Sequence, residues 1–269
     1  MSRCFLIVLA SILFPPTLLV AQWKIESLSP EPSPEDTLYF EQKSITREGA
    51  SGFLSKRKIQ LVWFHRKDFT FLVIDNGDEP RPRFGTIAET MRAHQCVAGS
   101  NGGFFLETRA PSGLMIASGQ TTGKFGTGGL LSGVLLSSGK GNPYLLRRAE
   151  YGETYQATDL IQAGPFLVDR GTTVNGLSPD NSRRRTFVVH DGSNWFGLGL
   201  SDGFTLAELG QILASAQFSP QRPIHRALNL DGGTSSGFFV ERGPSPAPVQ
   251  VEPLKTVRNY VGIVPRKDP

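Results

Sequence analysis

The chain has 269 residues, 39% of them hydrophobic and 19% charged, which suits a single sizeable globular domain with a buried core. Its 30 glycines and 19 prolines predict many turns and short strands and argue against a helical bundle. The formal charge of +4 is mild and the basic residues are scattered, which argues against a nucleic-acid-binding surface.

The first residues have the order of a secretory signal peptide. Arg3 supplies a positive start, residues 5–14 are apolar, and Leu19-Val-Ala21 forms a small-residue cleavage site. We therefore predict a signal peptide over residues 1–21 and an exported protein, periplasmic or secreted, without a membrane span after processing. A retained membrane anchor is the alternative, although two consecutive prolines break any long helix here.

Only Cys96 remains after such processing, because the other cysteine, Cys4, lies in the signal segment. A single cysteine cannot form an intramolecular disulfide. We predict that Cys96 is a small buried hydrophobic residue and not a nucleophile.

Residues 22–58 are predicted to be an N-terminal extension and linker, because residues 27–36 are rich in proline, serine and acidic side chains. A single domain is predicted to follow over residues 59–269. Its first element is a predicted β-hairpin over residues 59–75, in which two β-branched and aromatic stretches flank a turn at residues 66–68.

Two capping boxes mark the two main helices. The box Thr86-Ile-Ala-Glu89 opens a helix that should end near Gln95, and Thr205-Leu-Ala-Glu208 opens a second helix with one apolar face. The fold class is therefore α+β (mixed α/β), a single domain with a predominantly β-sheet core. The other predicted strands lie in the glycine-rich segment 114–146, in 159–168 with a Gly-Pro bend, in a hairpin of 185–190 and 195–200, and in 260–264.

Two glycine-rich segments share one pattern and together predict a site. Residues 226–239 run from a short apolar strand into Asp231, two glycines and three hydroxyl residues. Residues 97–105 run from a small apolar strand into Asn101 and two glycines. Glycine pairs allow a sharp turn and close approach of a ligand to the backbone. Asp231 would then lie at the floor of a pocket, whereas the simpler alternative is an Asp-Gly turn.

A serine-hydrolase elbow has to be tested, because Gly233-Thr-Ser-Ser-Gly237 fits the pattern G-x-S-x-G. That elbow needs a helix after Ser235 and a histidine further along the chain. Here apolar residues and a proline-rich loop follow, and all four histidines precede the serine, so the match fails. The chain also lacks metal-ligand spacings and a phosphate-binding loop, and we predict no metal and no cofactor.

Carboxylate, amide and guanidinium groups remain as the candidate chemistry. Asp231 is the leading acid or base, and Asn101 either orients a substrate or forms an Asn-Gly turn. Arg185 begins a predicted strand and could direct a bidentate donor at a phosphate or a carboxylate. Glu107 and Asp202 are candidate second carboxylates.

Five segments follow one another in a characteristic order and spacing: Asn101-Gly-Gly-Phe-Phe105, Ala163-Gly-Pro-Phe-Leu-Val168, Arg185-Thr-Phe-Val-Val189, Phe204-Thr-Leu-Ala-Glu-Leu209 and Ala227-Leu-Asn-Leu-Asp-Gly-Gly-Thr-Ser-Ser-Gly237. Together they resemble the phosphodiester glycosidase family. The resemblance spans residues 60–264 and implies a mixed α/β domain without a required metal. It also implies hydrolysis of a sugar-1-phosphodiester to free sugar and a phosphomonoester. Thr234 stands where the family usually has a third glycine.

The resemblance implies the site residues other than Glu107, which is a candidate because it lies just past the first segment. We predict Asp231 as the principal catalytic carboxylate with Glu107 as a second, Arg185 as the phosphate-binding residue, and Asn101 and Ser235 as positioning groups. The partner would be a small or polymer-linked sugar phosphodiester. Two other functions stay open, namely a non-catalytic exported module that binds sugars or envelope polymers and a phosphodiesterase that cleaves the P–O bond. The substrate-binding set implied by the family motifs is Asn101, Gly102, Gly103, Arg185, Asn229, Gly232, Gly233 and Ser235.

Overall fold

The computed structural model describes residues 23–49, 56–78, 85–243 and 246–266, so the predicted signal peptide lies outside the described residues. The described chain has 18 strands and two α-helices, which confirms a single α+β domain with a β-dominated core. None of its helices is long and apolar enough to cross a membrane. The helices are α1 (Ile87–Ala93) and α2 (Leu206–Ala214). The strands are β1 (Trp23–Ser27), β2 (Leu38–Arg47), β3 (Lys56–His65), β4 (Phe69–Asp75), β5 (Ala98–Asn101), β6 (Met115–Ala117), β7 (Gln120–Thr122), β8 (Gly133–Ser138), β9 (Pro143–Arg147), β10 (Ala157–Ala163), β11 (Phe166–Asp169), β12 (Thr172–Thr173), β13 (Arg183–His190), β14 (Trp195–Phe204), β15 (Arg226–Asn229), β16 (Phe238–Val240), β17 (Val249–Val251) and β18 (Asn259–Pro265).

The strands form three antiparallel sheets. The large sheet has eight strands in the order β1-β2-β3-β14-β13-β15-β11-β12. The β10 sheet has the order β7-β6-β10-β8-β9, and the β5 sheet has the order β17-β16-β5-β18-β4. Apolar side chains from all three sheets meet in one central core, for example Val188 of the large sheet, Ile161 of the β10 sheet and Val261 of the β5 sheet.

The large sheet is buried on both faces. Along β13, Val188 points into the central core, whereas its neighbours Phe187 and Val189 pack on the other face with Leu209 and Ile212 of helix α2. Successive strand residues point to opposite faces, so a strand covered on both sides must be apolar throughout. Helix α1 covers the β5 sheet in the same way through its own apolar cluster.

Residues 22–58 were predicted to be an extension and linker, but they contribute strands β1 and β2 and the start of β3 to the large sheet. Strands β1 and β2 form one edge of that sheet, and β2 pairs with β3 from Leu38 opposite Phe64 to Thr46 opposite Lys56. Ile45 is fully buried in the cluster under helix α2. The proline-rich composition described only the connection between these two strands.

The predicted hairpin over residues 59–75 has the right strands and turn but the wrong partners. Strand β3 pairs with β2 and β14 in the large sheet, whereas β4 pairs with β18 in the β5 sheet. The turn at residues 66–68 therefore carries the chain from one sheet to another. The hairpin of β13 and β14 is confirmed, and so are both capping boxes, with α1 ending at Ala93.

The outer edge of β4 is covered by side chains and not by another strand. The Asp159 carboxylate of β10 accepts hydrogen bonds from Val73 N (2.9 Å) and Ser118 N (3.3 Å). Ser137 Oγ of β8 accepts from Phe71 N (3.2 Å) and donates to Phe71 O (2.8 Å). Burial raises the pKa of Asp159, while the two amides oppose that shift. These contacts fasten the β10 sheet to the β5 sheet.

Candidate active site

The two glycine-rich segments lie side by side, at the ends of β5 and β15. The amide nitrogen of Asp231 donates to Gly102 O over 3.0 Å. Asn101 Nδ2 donates to Asp231 O over 2.6 Å, although the two residues are 130 positions apart in the sequence. The fold therefore brings together the two segments that share the sequence pattern.

Asn101 holds the backbone around Asp231. Its side chain is buried at 1% exposure, and Oδ1 accepts a hydrogen bond from Gly237 N over 3.1 Å. Thr186 Oγ1 of β13 donates to the same Asp231 carbonyl over 2.7 Å. Asn101 thus contacts both ends of the second segment, which makes it a positioning residue for Asp231.

Gly102 and Gly103 are required by close packing. A Cβ atom on Gly102 would overlap Asn259 Oδ1, and one on Gly103 would lie 2.7 Å from Ile161 Cγ2. Gly103 N also donates to Asn259 Oδ1 over 2.7 Å. The backbone of the first segment can pass through this space only without side chains.

Asp231 is a mostly buried carboxylate at the end of the second strand. Its Oδ1 accepts a hydrogen bond from Gly232 N over 2.9 Å. Burial raises the pKa of the Asp231 carboxyl, and the Ser235 hydroxyl and the Lys255 charge oppose the shift. The charge that contributes to the shift is that of the Lys255 ammonium group.

Arg185 lies against the glycine turn that follows Asp231. Its Nη2 donates to Asn181 O (2.9 Å) and its Nε to Phe204 O (3.3 Å), and a Cβ on Gly232 would lie 3.7 Å from Nη1. In the described chain no carboxylate comes within ion-pairing distance of this guanidinium. Burial, helped by the neighbouring Arg183 charge, lowers the pKa of Arg185. A half-buried cation without a counter-ion is suited to binding an anion.

Two buried oxygens near Asp231, Ser235 Oγ and Asn229 Oδ1, form no well-aligned hydrogen bond with the described residues, although the Ser235 hydroxyl is close enough to the Asp231 carboxylate to oppose the rise in its pKa. Ser235 is fully buried in a short 3-10 helix over Gly233–Ser235, and Asn229 Nδ2 donates to Gly164 O (2.9 Å). A hydrolase serine must be exposed and must have a base, so this burial agrees with the rejection of the elbow. Gly233 has φ +66, a conformation that favours glycine.

The structure does not bring the candidate second carboxylates to Asp231. Glu107 is exposed in a turn closed by Leu106 N donating to Ala110 O, and no described residue forms a hydrogen bond or ion pair with it. Asp202 is exposed on β14 and accepts a hydrogen bond from Lys58 N over 2.7 Å.

Three residues of the site were not identified as site residues from the sequence: Thr186, Lys255 and Asn259. Thr186 and Asn259 contact the two segments by the hydrogen bonds given above. Lys255 Nζ lies 4.8 Å from the centre of the Phe105 ring. All three are brought in by other strands or loops, and no local pattern singles them out. Within the described ranges, no group of three or more His, Cys, Asp or Glu side chains could hold a metal ion.

Comparison with known proteins places this geometry in a family. The profile described as phosphodiester glycosidase matches residues 94–264. The catalytic domain of zebrafish N-acetylglucosamine-1-phosphodiester alpha-N-acetylglucosaminidase, auto-inhibited by its pro-peptide, has a similar structure. The TM-score is 0.62 at 17% identity, over 92% of this chain and 89% of that one.

Two further solved structures share the fold. A hypothetical protein from Synechocystis gives a TM-score of 0.53 at 15% identity, over 84% of this chain and 62% of that one. A putative exported protein from Burkholderia pseudomallei gives 0.50 at 11% identity, over 83% and 77%. No curated protein sequence matches the chain significantly.

Proposed function

The chain belongs to the phosphodiester glycosidase family, and from that premise we propose that it hydrolyses the glycosidic bond of sugar-1-phosphodiesters to free sugar and a phosphomonoester. The observation that carries the proposal is that Asp231 and Arg185 both border the Gly232 turn: Asp231 Oδ1 accepts a hydrogen bond from Gly232 N, and the Arg185 side chain, which has no carboxylate partner among the described residues, packs against the same glycine. A reactive carboxylate and a free cation are the two groups that an anomeric carbon bearing a phosphate requires.

In this proposal Asp231 works on the anomeric carbon and Arg185 on the phosphate. Positive charge develops on the sugar as the glycosidic bond breaks, and a carboxylate can attack that carbon, stabilise it or activate water. Arg185 offsets the charge of the departing phosphate. Ser235 is fully buried, so we assign it to orienting the Asp231 carboxylate and not to binding the sugar.

A panel of glycosyl-1-phosphodiesters, including UDP-sugars and aryl glycosyl phosphodiesters, tests the function. We expect release of free sugar and a phosphomonoester, and in ¹⁸O-water the label should enter the sugar. Label in the phosphate would instead support the phosphodiesterase. Binding without turnover by folded protein would support the sugar-binding module.

Asp231→Asn is the matched variant for this panel. It should fold and lose turnover by about a thousandfold or more. A folded variant with full activity would remove Asp231 from its proposed role.

We also propose that the protein is exported after cleavage between Ala21 and Gln22. The order of charged, apolar and small residues at the N-terminus supports this, and so does the structural likeness to an exported protein. N-terminal sequencing of protein secreted by a bacterial host should begin at Gln22; an intact Met1 in the membrane fraction would support a retained anchor.

A further inference from the structure

We propose that Lys255 binds the phosphate group of the substrate together with Arg185. The site then hydrolyses its substrate with one carboxylate and two cations, whereas most glycosidases use a pair of carboxylates. This inference rests on the function proposed above. It concerns a residue on a loop that the family-like motifs do not include.

The loop between β17 and β18 is fixed over the turn that follows Asp231. Leu254 N donates to Thr234 O over 2.8 Å. Pro253 packs so closely on Gly237 that a Cβ there would lie 2.8 Å from Pro253 Cδ. Lys255 directly follows Leu254. It is therefore held beside the second segment and does not lie on a free loop.

Lys255 also contacts the first segment. Its Nζ lies 4.8 Å from the centre of the Phe105 ring, and Phe105 follows Gly103 by two positions. No carboxylate of the described residues lies within ion-pairing distance of this ammonium group. A cation–π contact at an exposed site is weak, so an anionic ligand can draw the ammonium from the ring.

The charges around Asp231 complete the arrangement. The Lys255 charge acts on Asp231 from the loop, the Arg185 side chain packs against Gly232 from β13, and Arg183 Cδ lies 3.6 Å from where a Cβ on Gly233 would be. All three side chains are basic. The Lys255 charge opposes the rise in the pKa of the Asp231 carboxyl that burial causes. A phosphodiester anion entering this region would meet these cations close to a single carboxylate.

A second carboxylate is unnecessary for this leaving group. Glycosidases that expel an alcohol use a carboxylic acid to protonate it. A phosphomonoester has a second pKa near 6, so it departs as a stable anion without receiving a proton. What it needs is a compensating positive charge, which Lys255 and Arg185 supply.

The step balances as a hydrolysis. The oxygen of a water molecule forms a bond to the anomeric carbon, and the bond from that carbon to the phosphate oxygen breaks with its electron pair remaining on the phosphate. Asp231 takes one proton of the water and later releases it to solvent. The Lys255 ammonium stays protonated throughout and binds the dianionic phosphomonoester as it forms.

The test compares Lys255→Gln and Lys255→Arg with Lys140→Gln, a control at an exposed lysine in the turn between β8 and β9. With a phosphodiester that the wild type cleaves, we expect kcat/KM of Lys255→Gln to fall about tenfold or more. Its acid limb should move to higher pH, because the charge that eases ionisation of Asp231 is gone. Lys255→Arg should recover most of both properties, and Lys140→Gln should match the wild type.

A Lys255→Gln variant that matches Lys140→Gln in rate and in pH profile would overturn the role of Lys255. Loss of activity in Glu107→Gln would overturn the single-carboxylate arrangement. If the wild type releases no sugar, the proposed function itself fails. Titration calorimetry with inorganic phosphate then decides on Lys255 alone, since weaker binding by Lys255→Gln than by Lys140→Gln supports the site and equal binding overturns it.

Discussion

The amide nitrogen of Asp231 donates to the carbonyl oxygen of Gly102 over 3.0 Å, and this hydrogen bond joins two sheets. Asp231 follows β15 of the large sheet, whereas Gly102 follows β5 of the β5 sheet. The candidate carboxylate therefore lies at a junction whose geometry depends on both sheets. Side chains that never touch a substrate should for this reason control its position.

Asn101→Ala tests that dependence. The change leaves Gly237 N without its acceptor and removes one of the two donors to Asp231 O, which keeps only the Thr186 hydroxyl. We expect the free energy of unfolding to fall by about 2–3 kcal/mol. We also expect kcat to fall by about 10- to 100-fold, because Asp231 is displaced.

Urea unfolding and steady-state kinetics measure the two effects. Asn194→Ala, an exposed turn residue, is the control and should stay within about 0.5 kcal/mol of the wild type. An Asn101→Ala protein with wild-type kcat would show that Asn101 does not position Asp231.

The pH dependence of activity follows from the burial of Asp231. Its carboxyl must be ionised to act as base or nucleophile, and burial raises its pKa above the ordinary value of 3.8. Activity should therefore fall as the pH drops through this raised pKa, and the acid limb of kcat/KM should have its midpoint above 3.8. A midpoint at or below that value would contradict the burial argument.

The same pKa shift predicts that Asp231→Asn separates activity from stability. A carboxyl whose pKa is higher in the folded state binds its proton more tightly there, so ionisation at neutral pH costs folding free energy. Asn removes that charge. The variant should unfold at the same or higher urea concentration than the wild type at pH 7, and the difference should shrink as the pH falls through the raised pKa. A lower unfolding midpoint at pH 7 would count against this account.

Two variants of Asp159 separate the effect of its buried charge on stability from the effect of the hydrogen bonds that it accepts. Asp159→Asn keeps an acceptor for Val73 N and Ser118 N and removes a buried charge, so its stability at pH 7 should equal or exceed that of the wild type. Asp159→Ala leaves both amides without a partner and should lose about 2–4 kcal/mol. Thermal or urea unfolding of the pair decides the point, and equal losses in both variants would contradict it.

Cys96 should be unreactive in the folded protein. It is buried, and burial raises the pKa of its thiol to about 12. The thiolate is the reactive form, so Ellman's reagent should detect this thiol only after denaturation. Cys96→Ala gives the background signal from Cys4 where the signal peptide is retained, and rapid labelling of native wild-type protein above that background would refute the prediction.

Features that depend on a few consecutive residues were predicted correctly from the sequence. Pairings between strands that lie far apart in the chain were not. The capping boxes at Thr86 and Thr205 need only four consecutive residues, and each begins a helix. Strands β13 and β14 pair across a short turn. The equally short turn after His65 joins different sheets, because Phe64 and Phe71 find their partners far along the chain, at Phe196 and Ile263.

In the candidate site, too, the residues in local motifs were predicted and a residue from a distant loop was not. The shared pattern of the two glycine-rich segments was enough to bring Asn101 and Asp231 together in the prediction. Lys255 was missed because it reaches the site through a loop fixed by one backbone hydrogen bond to Thr234. The composition of residues 27–36 was misleading for residues 22–58, since a polar connection says nothing about the strands on either side.

The covered edge of β4 affects whether two molecules of the protein can associate through the edges of their sheets. A strand edge with free amides is a template on which another chain can add a strand. Asp159 and Ser137 occupy the amides of Val73 and Phe71, so these two positions of β4 cannot pair with another strand. Loss of the carboxylate would free the amide of Val73, and we therefore expect Asp159→Ala to aggregate more readily than Asp159→Asn.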